Sequence, residues 1–359
     1  MPYLIPLLLF ILGQVLPKNK LVTILYLLYF WALVGLNTFT PDYESYQSKY
    51  ELFIQLDNYE IGHQALVLSC NFIGLTYQEF RMVYAFLTVL FLFIALRKSS
   101  KYQNYILALL LLWPFVAGVS GIRQNLANMI VCCGVPCLFK EGKKQIVKYL
   151  FWIFLAWTIH QSSLFYLILI FARHQIGKKG KQMIIFLSIV GVFIISTTQL
   201  IGRIPFIANN IVFSKFLDLS ADAGADHQNL AGFLIRSFFV FCYALLVPRL
   251  ASIIEKYSSL NEWEANRLRV CSNASFLLIL TIPGYVVSGE YQRFLYALLF
   301  VYYIVFAEFR FKRFNKPFPM RSKMIILYIG LILLTAGYYM FSMTSHDVMA
   351  TFKDNLLFK

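Results

Sequence analysis

The chain has 359 residues, of which 59% are hydrophobic and only 14% charged, and its formal net charge is +15. Its mean hydropathy is +0.66. Apolar residues in such quantity, in continuous rather than alternating runs, exclude a water-soluble globular domain and a membrane β-barrel. They predict an all-α, polytopic membrane protein, with residues 1–359 forming one integral membrane domain.

In chain order, about twelve spans (a range of 10–14) are expected, near 2–17, 21–37, 79–96, 103–120, 122–139, 148–160, 161–172, 182–201, 230–247, 270–288, 291–308 and 323–343. The first lacks the basic leader and small-residue cleavage site of a signal peptide, so it is expected to be retained. The stretch 148–172 reads as one long helix or as two short ones. A single span would reverse the charge pattern of every later loop, so two segments meeting at His160 are expected. Longer loops fall at 38–78 and 202–229, and the first contains an apolar stretch, ALVLSCNFIGL, suited to lying at the interface or dipping back into the membrane.

The charges set the expected topology. The loops after the odd-numbered spans, with the span ends beside them, hold 23 of the 32 basic residues and five of the 17 acidic ones. By the positive-inside rule these loops face the cytoplasm. The longer loops and both termini are then expected outside. The basicity is a topology signal, so no nucleic-acid partner is expected. The cysteines sit mostly in apolar runs, and Cys132, Cys133 and Cys137 have no His or acidic neighbour in sequence, so packing rather than metal binding is expected and no cofactor is called for.

Arg81, Arg123, Arg236 and Arg293 lie at or within the outer span ends, where the rule disfavours them. Ionisable groups at such depth face a cavity or a partner, unless the side chain snorkels to the headgroups. Arg81, beside Glu79, is expected to snorkel. Arg293 has Glu290 one turn earlier, and Arg236 lies too deep to reach the surface easily. Arg123 and Gln124 open a span whose Ala127, Val131 and Gly134 form a small-residue stripe, which turns that face toward other helices. His160 is followed by Gln161, Ser162 and Ser163. In the first loop, PDYESYQSKYE sets carboxylates (Asp42, Glu44, Glu51) among rings (Tyr43, Tyr46, Tyr50), a combination that suits sugars or, equally, an interfacial aromatic belt. Arginine suits phosphate through its forked, permanently charged donors. Phosphate at shallow membrane depth suggests a lipid pyrophosphate.

Asp42-Tyr43 with spaced tyrosines, GIRQNLA opening a span, His160-Gln-Ser-Ser beyond it and EYQRFLY near the C-terminal spans resemble the EpsG family of Wzy-like polysaccharide polymerases, over roughly residues 20 to 310. The resemblance implies a glycosyltransferase-C-like helical bundle in the bacterial cytoplasmic membrane. It implies a transferase that moves a growing chain from its undecaprenyl pyrophosphate to the non-reducing end of a new lipid-linked unit, on the outer face. The products are O-antigen, capsule or exopolysaccharide, and a flippase and a Wzz-like chain-length regulator are the implied partners. Under this reading Arg123, Arg293, Arg236 and Gln124 bind pyrophosphate. His160 either donates to it or deprotonates the acceptor, with Asp42 or Glu51 as the alternative base. Tyr46, Tyr50 and Glu290 bind sugar. The alternatives are a flippase or other transporter, a membrane O-acetyltransferase, and an O-antigen ligase. The first would show repeats and mid-membrane helix breaks, the second an Arg and a His around the first spans, and the third shares the donor chemistry.

Overall fold

The computed structural model describes residues 4–38, 40, 43–52, 60–115, 117–119, 121–201, 230–287, 291, 293–342 and 355–357. Among them the secondary structure is helical, apart from an isolated antiparallel bridge between Asn37 and Asn355. The 202–229 loop, Asp42 and Glu290 lie outside the described residues.

Helices α1 (Leu4–Val15) and α2 (Lys20–Gly35) form a hairpin, joined where Asn19 caps α2 by accepting from the Val22 N–H at 3.2 Å. Two short helices follow, α3 (Tyr43–Leu52) and α4 (Ile61–Phe72), and then the long α5 (Tyr77–Ser99). A capping box between Thr76 and Glu79 starts α5. Helix α4 reaches about 18 Å in its 12 residues and is not one of the expected spans. Instead Gly62 brings its backbone against Thr158, leaving no room for a side chain between the two.

Helix α6 (Gln103–Leu112) is shorter than the span expected over 103–120. Trp113 precedes Pro114, whose ring disfavours helical backbone at Trp113, so the helix stops one residue earlier. An irregular passage leads to α7 (Ile122–Leu138), which is buried on nearly every side. The small-residue stripe works as expected there, and Gly134 sits against Trp152 and Tyr149 of α8 (Lys143–Ile159).

The chain reverses at His160. A 3₁₀ helix, Gln161–Arg173, runs back antiparallel to α8, and the Tyr149 hydroxyl donates to Tyr166 O at 2.7 Å between them. Arg173 returns to the α7–α8 turn, donating to Lys140 O at 2.7 Å. The lengths match because a 3₁₀ helix rises about 2.0 Å per residue against 1.5 Å in an α-helix. Thirteen residues of one therefore reach about as far as the 17 of the other. The expected pair of segments meeting at His160 is what the chain forms.

Helices α9 (Lys178–Ile201), α10 (Leu230–Tyr257), α11 (Glu262–Leu277), α12 (Phe294–Phe311) and α13 (Arg321–Ser342) complete the bundle. Two boundaries differ from expectation. Residues 248–269 were expected as a basic loop, yet α10 continues to Tyr257 and α11 begins at Glu262, where Asn261 and Glu264 form a capping box. Arg267 and Arg269 are consequently helix residues, and Arg267 is neutralised inside the protein by Glu308 of α12 at 2.8 Å. Arg81 does not snorkel either. It is fully buried, donates to Val34 O at 3.2 Å, and lies 5.2 Å from the centre of the Tyr43 ring.

Among the described residues, six helices are long and apolar enough to cross a membrane, and four shorter apolar helices accompany them. The protein is thus an all-helical membrane protein. The C-terminal segment folds back on the end of α2. Asn355 Nδ2 donates to Ala32 O and Leu33 O at 3.2 and 3.1 Å, and the Leu356 N–H donates to Leu36 O at 2.9 Å, so the segment bonds to carbonyls in the last turn of the helix.

Candidate functional site

The end of the bundle opposite the basic loops gathers side chains from five elements around Arg123. Gly121 caps α7, which places Arg123 in the first turn, its guanidinium clear of the buried stripe below. Nη1 donates to Glu60 Oε2 at 2.9 Å, and both side chains are about one-sixth exposed (16% and 17%). Nε donates to the Tyr46 hydroxyl at 3.3 Å, and the guanidinium lies 5.6 Å from the centre of that ring. Tyr46 comes from α3 and Glu60 from the start of α4.

Glu60 also ties the cluster to the α8 reversal. Its Oε1 accepts from the Gln161 N–H at 2.8 Å, so one carboxylate bridges Arg123 and the peptide beside His160. Close packing of Gly62 on Thr158 holds α4 at the distance this bridge needs.

His160 has extended backbone and joins α8 to the 3₁₀ helix, outside both. Its Nδ1 faces the Ser162 N–H at 3.3 Å and the Ser162 hydroxyl at 2.8 Å. A peptide N–H can only donate, so Nδ1 accepts and the proton of the neutral ring sits on Nε2. Burial, followed by the charge of Arg123, lowers the imidazole pKa to about 4, with Glu60 opposing and Arg293 reinforcing the shift. At neutral pH His160 is therefore an uncharged donor through Nε2.

Arg293 stands immediately before α12, and its Nη1 approaches Gly121, 3.8 Å from where a β-carbon there would be. It thus faces the start of α7 and the His160 ring. Two permanent cations, a neutral imidazole donor and a peptide N–H converge here, a set suited to an anion with several oxygens.

The other expected residues divide. Tyr46 belongs to the cluster. Tyr50 is buried, donates to Leu75 O at 2.8 Å and packs on Tyr77 and Phe80, so its place is in the fold. Glu51 is exposed and accepts from Gln47 one turn earlier at 2.8 Å. Gln124 is buried beside Arg123 on the next helical position. Arg236, in α10, is half-buried with Nε and Nη1 enclosed, and its charge is felt by Tyr285.

Sequence reasoning missed Glu60 and His63. They are three residues apart at the start of an apolar run, EIGHQALVL, so on a helix they share one face. That pattern was the available signal. His63 is buried beneath the cluster, with Nδ1 3.1 Å from the Tyr84 hydroxyl of α5.

The EpsG family model matches residues 20–356, nearly the whole chain. The chain belongs to the EpsG family. The match covers every element of the cluster, including α3, α4 and the His160 reversal, and it bears out the resemblance to this family. Comparison with curated proteins and with solved structures finds no match. Among the described residues no group of His, Cys, Asp and Glu is arranged to hold a metal ion.

Proposed function

We propose that this EpsG-family protein is a polysaccharide polymerase, a glycosyltransferase that joins undecaprenyl-pyrophosphate-linked repeat units on the outer face of the cytoplasmic membrane. All twelve expected segments cross in this reading, the shorter helices included, in a glycosyltransferase-C-like bundle. The basic loops then face the cytoplasm and the Arg123 cluster faces outward. The observation that carries the proposal is the convergence of Arg123, Arg293 and the neutral His160 at the end of the bundle opposite the basic loops, in a chain of this family.

In the reaction, the growing chain leaves its lipid pyrophosphate and passes to the non-reducing end of a new lipid-linked unit. Negative charge builds on the departing pyrophosphate oxygen. Arg123 and Arg293 supply fixed positive charge there, and His160 Nε2–H supplies a hydrogen bond without a further charge to desolvate. Tyr46 offers a ring face to a sugar beside them, and Arg236 is kept as a third, deeper cation. A Wzz-like regulator and a flippase are the proposed partners.

The test is reconstitution in vesicles with undecaprenyl-pyrophosphate-linked repeat units, chain length being read on a gel. A ladder from the wild type that vanishes in Arg123→Ala and Arg293→Ala is expected. Undiminished ladders from both variants would end the assignment. Transfer of one preformed chain to a lipid core acceptor, without a ladder, would point to a ligase instead.

A further inference from the structure

A transfer to a sugar hydroxyl needs a group to take the hydroxyl proton, and with Nδ1 of the neutral His160 ring accepting from Ser162, its Nε2 already carries one. Of the carboxylates first expected in that role, Asp42 lies outside the described residues and Glu51 is exposed and turned to Gln47. Glu60 has the needed position. It stands at the N-cap of α4, yet its side chain makes no hydrogen bond to that helix, so rotation about its own bonds leaves α4 undisturbed. Among the described residues its two oxygens are held from across the site, by a guanidinium N–H of Arg123 and the peptide N–H of Gln161. Those are the donors a phosphate would take.

We propose that Glu60 is the catalytic base for the acceptor hydroxyl, and that its pairing with Arg123 is the resting state of the site, opened by the pyrophosphate of the donor. The inference rests on the polymerase reading above. A carboxylate brings one negative charge to Arg123, whereas a pyrophosphate brings more charge and more oxygens, so the donor displaces it. Glu60 then turns beside Tyr46 toward the acceptor sugar. The acceptor oxygen bonds to the anomeric carbon of the growing chain, and its proton passes to the Glu60 carboxylate. The bond from that carbon to the pyrophosphate oxygen breaks, and the electron pair leaves on the oxygen facing Arg123 and Arg293. The carboxylate becomes a base only once the donor is seated, which guards the ion pair against idle proton transfer and sets the order of binding as donor first.

The experiment compares wild type and Glu60→Gln in the reconstituted assay and measures affinity for farnesyl pyrophosphate, a short-chain stand-in for the donor. Glutamine keeps the shape and one acceptor oxygen but cannot take the proton. The turnover rate is expected to fall about 10²–10⁴-fold, while farnesyl pyrophosphate binds as tightly as before or more tightly. A variant that polymerises at the wild-type rate, or that loses affinity and rate together, overturns the proposal. Glu60→Asp keeps a shortened carboxylate and is expected to retain more activity than Glu60→Gln. Should Glu60→Gln fail to fold, an undiminished rate in Glu60→Asp overturns the proposal, and a rate at least tenfold lower with unchanged affinity supports it. A wild type that extends no lipid-linked unit overturns the polymerase reading itself. A wild type that does so, beside an equally active Glu60→Gln, overturns only the role of Glu60.

Discussion

Arg267 of α11 and Glu308 of α12 pair at 2.8 Å with side chains 3% and 1% exposed. The arginine also donates to Ser99 O at 2.8 Å and lies 4.6 Å from the centre of the Trp263 ring. The pair therefore joins α5, α11 and α12 at the basic end of the bundle. Removing one partner strands an uncompensated buried charge, at a cost of about 3–5 kcal/mol. Glu308→Ala is expected to lower the thermal midpoint in detergent by several degrees or to abolish accumulation. Arg267→Met with Glu308→Leu is expected to recover most of the loss, because neither charge is then stranded. A Glu308→Ala protein as stable as wild type would deny the pair its structural role.

The Arg123 pair is different in kind, since both of its side chains keep some exposure. Arg123→Lys retains the charge but lacks the second donor that meets Tyr46 and the plane that rests on its ring. Activity is expected to fall about 10²–10³-fold, as for loss of a single preorganised donor, with little change in thermal midpoint. Initial rates in the vesicle assay decide this. A lysine variant close to wild type would mean that charge alone suffices at this position.

The His160 ring is held neutral by burial and by Arg123, so the folded protein takes up its proton only near pH 4. An ordinary histidine in the unfolded chain takes it up near 6.5. Between those values the unfolded state binds more protons, and stability falls as pH drops through the window. Above pH 6.5 the residue is neutral in both states and contributes no pH dependence. The expected outcome is a carbon or nitrogen resonance of the His160 ring that does not titrate between pH 7.5 and 5.5, together with a shallower loss of stability below pH 6 in His160→Gln. A ring titrating near 6.5 would contradict the environment described here.

Much of this architecture is legible in the sequence because the bilayer imposes it. Apolar runs mark helices, and the charge pattern that separated 148–160 from 161–172 located the reversal at His160. The Arg123, His160 and Arg293 motifs were likewise found as polar residues where lipid disfavours them. What the sequence hid depends on distance across the fold. Whether Arg81 snorkels or is buried against Val34 depends on a helix 47 positions away, and Glu60 is unremarkable until α4 packs on α8. Tyr46 and Tyr50 look alike in PDYESYQSKYE, yet four positions along α3 one ring meets Arg123 and the other turns into the core. The end of α10 was misplaced because hydropathy loses a helix once it leaves the apolar layer, while the hydrogen bonds of the helix continue to Tyr257.

Gly62 tests whether the geometry between α4 and α8 governs the site. A β-carbon there would lie 2.5 Å from Thr158 Oγ1 and 2.7 Å from Thr158 O. The hydroxyl can turn away but the carbonyl cannot, so Gly62→Ala must move α4 outward. Overpacking of this kind costs about 1–3 kcal/mol. More tellingly, it withdraws Glu60 from the Gln161 N–H, which it now meets at 2.8 Å. Polymerisation is expected to fall at least tenfold at temperatures where the variant remains folded. Thr158→Ser, which keeps the backbone contact, should not rescue it. Thr158→Gly should relieve only the side-chain part of the clash and so recover little. A Gly62→Ala protein with wild-type rates would show that the site tolerates displacement of α4, and that the bridge from Arg123 through Glu60 to Gln161 does not set its geometry.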